Sequence, residues 1–430
     1  MRTAIVILNW NTREYLGRFL PGVVAEAERN PGTEVVVADN GSTDGSVELV
    51  KEGFSSVRVI AFEENLGFTG GYDRALSELK GFDLFLLLNS DIEVPQGWLR
   101  PLIDWMEEHQ ECGACGPKLL SYYEKDRFEY AGAAGGMLDA YGYPFCRGRV
   151  LKMTEKDEGQ YDSPKNVFWV SGACLLVRAG LWQELGGFDA RFFAHQEEID
   201  LCWRMQLRGW KVTVVPGSHA YHLGGGTLPK ESPWKMKLNY RNSLLLLDNN
   251  LERTYALCMS REEEKRHPGE AKEPQEKAGR KAKEPDEKAG RKAGKPQENG
   301  LQKKAAGRAR SRIRTRMIMD GMSAVVYLFQ GHPDFFKAVI QAHREFKELK
   351  GQKPAPLLTK HVPTEPGSVS APAEGLSSSR SGEPGSHEVT AATEEKGNLS
   401  EIRIEGFYKG WIIPKAIFRG RKVFEMIHKL

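Results

Sequence analysis

Four apolar runs near the start of the chain limit its fold more than any other feature. TAIVILNW, EVVVADN, VRVIAF and FDLFLLLN alternate with helical patterns over 14–28, 46–52 and 71–79. That alternation implies β-α-β units around a mostly parallel sheet flanked by helices. VVVA and LFLLL are continuously apolar, as strands covered on both faces are. Each run ends in or leads to polar residues, and ligands of open α/β sheets gather beyond the carboxyl ends of the strands. Asn9, Asp39, Asn65 and Asp91 are therefore expected to converge on one crevice.

Further along, 98–109 reads as a helix and 118–166, rich in glycine and tyrosine, as a stretch with little regular structure. FWVSGACLLVR and KVTVVPGSHAYH read as further strands. A first domain thus occupies 1–250. Composition then turns to Lys, Glu, Ala, Gly and Pro over 260–310, where AKEPQEKAGRK (271–281) is followed by AKEPDEKAGRK (282–292). Such units bury too little apolar surface to offset chain entropy, so this stretch reads as a disordered linker, and 351–400 as a second. Between them, 313–350 breaks at GHP into two amphipathic helix candidates. The closing segment, 401–430, mixes aromatics and cations. Both suit either docking onto the first domain or lying in a membrane interface with anionic lipid.

Charge and cysteine usage exclude several classes. The 61 basic and 58 acidic residues leave a net charge of +3, too balanced for nucleic acid as the main partner. Six scattered cysteines, with no secretion signal ahead of them, favour a reducing, cytoplasmic setting. Cys112 and Cys115 form a CxxC with no second half to complete a zinc site. Nowhere do about 18 uncharged apolar residues run together, so no transmembrane helix is expected.

The polar ends carry the chemistry. Asp39, in ADNGSTDGS, is suited to accept hydrogen bonds from a nucleobase imide or ribose hydroxyls. Asn65 opens NLGFTGG, whose Gly67 and Gly70 let backbone N–H groups approach a ligand. LLLNSD ends a buried strand in Asn89, Ser90 and Asp91, oxygen donors that suit Mg²⁺ or Mn²⁺ beside a diphosphate. His222, in HAYHLGGGT, is a candidate further metal ligand. GGFDARFFAHQEEIDLCWRMQLRGW places Glu197 and Glu198 at the start of an amphipathic helix, with Arg204, Arg208 and Lys211 expected to stay solvated or bind anions. Taken alone, the two acids either complement the helix dipole or do chemistry.

Together, ILNWN, VVVADNGSTDGS, NLGFTGG, LLLNSD, SGACLLVR, GGFDARFFAHQEEIDLCWRMQLRGW and HAYHLGGGT resemble family 2 inverting glycosyltransferases of GT-A fold, in particular their bacterial rhamnosyltransferase-like branch. The resemblance spans roughly 1–250 and makes that stretch the catalytic domain. It implies a nucleotide-diphosphate sugar donor, dTDP-rhamnose or a UDP-sugar, with Asn9, Asp39, Asn65, Gly67, Gly70, Asn89 and Ser90 on the donor side. It implies a divalent cation, Mg²⁺ or Mn²⁺, on Asp91, since Asn89–Asp91 matches the family's DxD motif with Asn in first place. Glu197–Glu198 matches the family's Glu-Asp pair, so Glu198 takes the place of the catalytic base and Glu197 is its neighbour. The acceptor would be a saccharide or lipid-linked saccharide in surface-glycan and cell-envelope polysaccharide synthesis. The expected location is cytoplasmic and peripheral, on the inner face of the cytoplasmic membrane.

Two other readings stand beside this one. A sugar-nucleotide pyrophosphorylase needs a basic, glycine-rich loop after the first strand, where this chain has LNWNTREYL. A non-catalytic glycan-binding scaffold would not need Asp91 and Glu198.

Overall fold

The computed structural model describes residues 1–224, 232–266, 296–352 and 403–430. Its first half alternates strand and helix as expected: β1 (Thr3–Asn9), α1 (Arg13–Arg29), β2 (Thr33–Asp39), α2 (Ser46–Gly53), β3 (Arg58–Ala61), α3 (Gly67–Ser77) and β4 (Leu84–Asn89). β1 pairs in parallel with β2 on one side and β4 on the other, and β2 with β3. Along β4, Leu84, Leu86 and Leu88 pack into one core while Phe85 and Leu87 pack into another. Both faces are covered, which is why no polar residue interrupts the run. Burying each such side chain contributes about 1.5–3 kcal/mol.

The sheet continues through a short β5 (Ile92–Glu93), α4 (Arg100–Glu108), β6 (Cys112–Ser121), β12 (Cys174–Arg178) and β13 (Lys211–His222), in the order β11-β13-β6-β12-β4-β1-β2-β3 with β5 beside β13; β11 is Lys165–Asn166. β12 runs antiparallel to both β4 and β6, whereas β13 and β6 are parallel. The result is a mixed but mostly parallel α/β sheet flanked by helices, as expected.

Residues 118–166 are more regular than expected. β7 (Gly136–Asp139), β8 (Pro144–Cys146), β9 (Arg149–Val150) and β10 (Met153–Thr154) form a small second sheet, joined by the distant β14 (Phe407–Tyr408). Strands of two to four residues joined by tight turns leave too short an alternation for the sequence to display.

α5 (Ala179–Leu185) leads through the GGFD turn to α6 (Glu197–Gln206). Arg204 and Arg208 are buried, contrary to the solvated face expected for α6. α6 lies against the long α7 (Pro233–Arg266) and so has no free face. Arg204 pairs with the fully buried Asp200 at 2.6 Å and donates to the carbonyls of Leu185 and Gly187. Arg208 meets Glu184 at 3.5 Å.

α7 packs on α8 (Pro296–Phe329) and α9 (Pro333–Leu349), which break at GHP as the sequence suggests. The first linker expected over 260–310 overlaps helix at both ends. Its repeats, and most of the second linker, lie outside the described residues. Finally α10 (Ile412–Arg419) and α11 (Val423–Ile427) close a third apolar cluster against Met137, Phe145 and Val150.

Candidate functional site

The parallel register brings Asn9 directly opposite Asp39 at the carboxyl ends of β1 and β2. The Asn9 amide donates to Asp39 Oδ2 at 2.7 Å, and the Ser42 backbone N–H donates to Oδ1 at 2.9 Å. Asp39 is thereby fixed at the sheet edge. Thr12 ties this corner to the next strand by hydrogen bonds to Asn9 and to Ser90, the latter at 2.8 Å. Asn65 accepts from the Asn40 amide at 2.9 Å and from the N–H of Gly67 at 2.8 Å. Asn40 also accepts from Leu66 N and donates to the Gly67 carbonyl, so it anchors the whole NLGFTGG turn. The sequence reading passed over Asn40, although it adjoins Asp39.

Gly67 has φ +75°, and a side chain there would collide with the ring of Phe193. Its freedom thus serves a close approach within the protein. A side chain at Gly70 would press against Leu66.

At the end of β4, the N–H of Asn89 donates to the carbonyl of Ala173 at 2.9 Å, placing the Ser171–Ala173 turn beside the NSD segment. Glu198 stands over that turn: a Cβ on Gly172 would lie 3.4 Å from the Glu198 Cβ and 3.7 Å from Phe68 of the NLGFTGG loop. Glu198 therefore borders the donor-side loops that the sequence singled out.

The two glutamates differ. Glu197 is buried within electrostatic reach of Tyr72, whose hydroxyl donates to the Leu88 carbonyl inside the sheet, and its Oε2 has no hydrogen-bond partner. Burial, and then the charge of Glu198, hold its carboxyl well above the usual range. Glu198 is half-buried. Desolvation pushes it up to about 7, against the pull of backbone N–H groups at Glu198, Ile199 and Gln196. A half-buried carboxyl titrating near neutrality, at the positive end of a helix, has the properties of a general base.

The segment before α6 is strained. Phe193, His195 and Gln196 have φ of 63°, 73° and 70°, each costing about 1–3 kcal/mol in a residue other than glycine. Such strain persists only where surrounding contacts enforce it, and it clusters at functional sites.

β5 and β13 bring Asp91 to His222: Asp91 Oδ1 lies 3.2 Å from His222 Nε2, and Glu129 Oε2 lies 3.3 Å from Nδ1, an ion-pair approach without hydrogen-bond alignment. Burial opposes charge on this imidazole, but Glu129 and Asp91 outweigh it and hold the proton to about 10. Among the described residues, no group of three or more His, Cys, Asp or Glu is arranged to hold a metal ion. Asp91 and His222 would supply one carboxylate and, once the imidazole gives up that proton, one ring nitrogen, a donor set suited to Mn²⁺ when substrate oxygens complete the shell. Glu129 lies in the loop-rich stretch and had no signal in the sequence.

Residues 4–185 match the family model for glycosyl transferase family 2. Over 257 residues the chain is 27% identical to an N-acetylglucosaminyl-diphospho-decaprenol L-rhamnosyltransferase of Mycobacterium tuberculosis, covering 56% of this chain and 83% of that protein. Over 262 residues it is 24% identical to the rhamnosyltransferase WbbL of Escherichia coli, covering 58% of this chain and 96% of that one. The crystal structure of GalNAc-T7 with UDP, GalNAc and Mn²⁺ aligns with a TM-score of 0.46 at 17% identity, over 61% of this chain and 51% of that one.

The α/β domain is that of a sugar-transferring enzyme. Over residues 4–185 the chain carries a glycosyl transferase family 2 domain, and it is rhamnosyltransferase-like in sequence. The pyrophosphorylase and scaffold readings fall with that assignment.

Proposed function

We propose that this enzyme moves a sugar from a nucleotide-diphosphate donor, dTDP-rhamnose or a UDP-sugar, onto a hydroxyl of a saccharide or lipid-linked saccharide acceptor, with Glu198 as base. The observation that carries the reading is the Glu198 carboxyl, raised to about 7 and set against Gly172 and Phe68 at the crevice. Glu198 takes the proton of the acceptor hydroxyl while that oxygen bonds to the anomeric carbon. On the opposite side the bond from that carbon to the diphosphate oxygen breaks, its electron pair leaves with the nucleoside diphosphate, and configuration inverts. Asp39, braced by Asn9 and Ser42, meets the base or ribose. Asn65, Gly67, Gly70, Asn89 and Ser90 shape the donor side. Asp91 with His222 would hold a divalent cation, which when bound supplies positive charge for the leaving diphosphate.

The acceptor class is supported by the mycobacterial relative, whose name gives a diphospho-decaprenol-linked sugar as its substrate. Among the described residues no helix is long and apolar enough to cross a membrane. Peripheral contact with the inner face of the cytoplasmic membrane is supported by two apolar surfaces instead. Ile318, Met322, Val325, Val326 and Phe329 line one side of α8, exposed at helical spacing, and Ile417 and Phe418 stand exposed beside Arg419, Arg421 and Lys422.

Incubation of the full chain with a panel of nucleotide sugars, Mn²⁺ and a polyprenyl-diphosphate saccharide tests the reading, with release of nucleoside diphosphate as the signal. Acceptor-dependent release that disappears in Glu198→Gln is expected. Full activity in Glu198→Gln would overturn the base assignment. Sedimentation with anionic vesicles, reduced in Phe418→Glu, tests the membrane surface, and equal sedimentation of both proteins would remove it.

A further inference from the structure

The strained segment in front of Glu198 is held from two sides. Across the crevice, the N–H groups of Phe68 and Thr69, at the start of α3, both donate to the carbonyl of Phe193, at 2.9 and 3.1 Å. From the other side, α7 supplies a row of side chains. The fully buried Asn242 turns its amide nitrogen to three carbonyls, those of Phe192 at 3.0 Å, Ala194 at 2.8 Å and His195 at 2.7 Å. Arg241 donates to the carbonyls of Arg191 and Phe192. Ser243 accepts from the Gln196 side chain at 3.0 Å. The carbonyls of residues 191 to 195 therefore all have donors, although the segment belongs to no sheet or long helix.

The hold extends one layer outward. Arg241 pairs with Glu345 of α9 at 3.2 Å, and Glu345 also receives Lys237 at 2.6 Å. α9 belongs to the region beyond 1–250, and no residue of it borders the donor-side loops in the contacts described above. Its ion pair nevertheless sets the direction of the guanidinium that grips the segment leading into α6.

We propose that Asn242 is a positioning residue for sugar transfer, and that the Arg241–Glu345 pair makes α9 part of the same device. This rests on the reading of Glu198 as base. Left-handed backbone at three residues other than glycine is unfavourable by itself. Asn242 makes it the satisfied arrangement, because release of the segment would leave buried carbonyls without donors. The first turn of α6 is thereby fixed in rotation, with Glu197 turned inward and Glu198 facing Gly172. An amide is required in this role, since an isosteric carboxylate would face three carbonyl oxygens with acceptors of its own.

The test uses the full chain and separates positioning from mere stabilisation by the split between kcat and KM. Asn242→Asp and Asn242→Ala are expected to lower kcat by about tenfold to a hundredfold, the scale set by a misplacement near one ångström, with donor KM within about threefold of the parent. Arg241→Lys and Glu345→Gln, milder changes at a pair whose glutamate alone is partly exposed, should lower kcat by about threefold or more with donor KM again retained. They decide the matter if the Asn242 variants do not fold. Thermal denaturation run in parallel gives the discriminating contrast. Variants that melt earlier but keep parental kcat well below their melting temperature would overturn the proposal, leaving these contacts purely structural. Glu198→Gln is measured beside them. If it keeps activity, the base assignment fails and the proposal with it; if it is inactive while the Asn242, Arg241 and Glu345 variants all turn over normally, the proposal alone fails.

Discussion

His222 stands between Asp91 and Glu129, 3.2 Å from the first through Nε2 and 3.3 Å from the second through Nδ1. A carboxylate thus lies behind the imidazole, on the side away from Asp91, where it would orient the ring when Nε2 serves a metal. Glu129→Gln is expected to weaken activation by Mn²⁺ about tenfold to a hundredfold while leaving the rate at saturating metal close to that of the parent. Titration of activity against free Mn²⁺ after chelator treatment checks it. An unchanged half-saturation point would show that Glu129 has no part in holding the cation.

The two glutamates at the start of α6 should respond differently to the same substitution. On the proposed reading Glu198→Gln removes the proton acceptor and should reduce kcat by about a hundredfold to ten-thousandfold. Glu197 is buried, and desolvation and the neighbouring Glu198 favour its neutral form, which glutamine imitates, so activity should stay within a few-fold. Steady-state rates of the two variants at pH 7.5 decide it, and a reversed ranking would move the base to Glu197.

The raised carboxyl of Glu198 sets a pH window. Only the ionised form accepts a proton, so below about 7 kcat should fall tenfold per unit of pH. Stability runs the other way. The folded chain keeps a proton that the unfolded chain loses near the ordinary glutamate value, so this contribution is present at low pH and is lost as pH rises through about 7. Glu198→Gln should therefore melt higher than the parent at pH 8 and at nearly the same temperature near pH 4. Melting curves at the two pH values test the sign.

Asp200 belongs to the fold rather than the chemistry. It is fully buried, pairs with Arg204 and accepts from the amides of Asn249 at 2.9 Å and Asn250 at 2.8 Å. Asp200→Ala leaves Arg204 buried without its partner and should cost about 3–5 kcal/mol, read from urea denaturation. A loss under 1 kcal/mol would mean that Arg204 has found another acceptor.

The strand-end donors were legible in the sequence because a buried run that stops at a polar residue marks a strand end, and parallel strands stop on the same side. Asn9, Asp39 and the Asn65 turn fall together as that rule requires. β6 was harder to see, with Gly113, Gly116 and Pro117 breaking the apolar run. The burial of Arg204 and Arg208 was hidden for another reason: α6 looks amphipathic, and only the presence of α7 reveals that its polar side faces protein. Asn242 and Glu129 contact partners roughly 50 and 90 residues away in sequence, a relation that periodicity and spacing do not encode.

β14 pairs with β7 as a parallel strand, Phe407 beside Leu138 and Tyr408 beside Asp139, and the N–H of Ile412 donates to the Asp139 carboxylate at 3.0 Å. Parallel neighbours separated by some 270 residues close a very long loop. During synthesis the small sheet must therefore wait, its edge unpaired and Met137 and Phe145 without their apolar cover from α10 and α11, until residue 408 and the helices after it have left the ribosome. Residues 407–427 are thus the late-arriving part of this sheet, and a chain stalled before them would present an open strand edge to its neighbours.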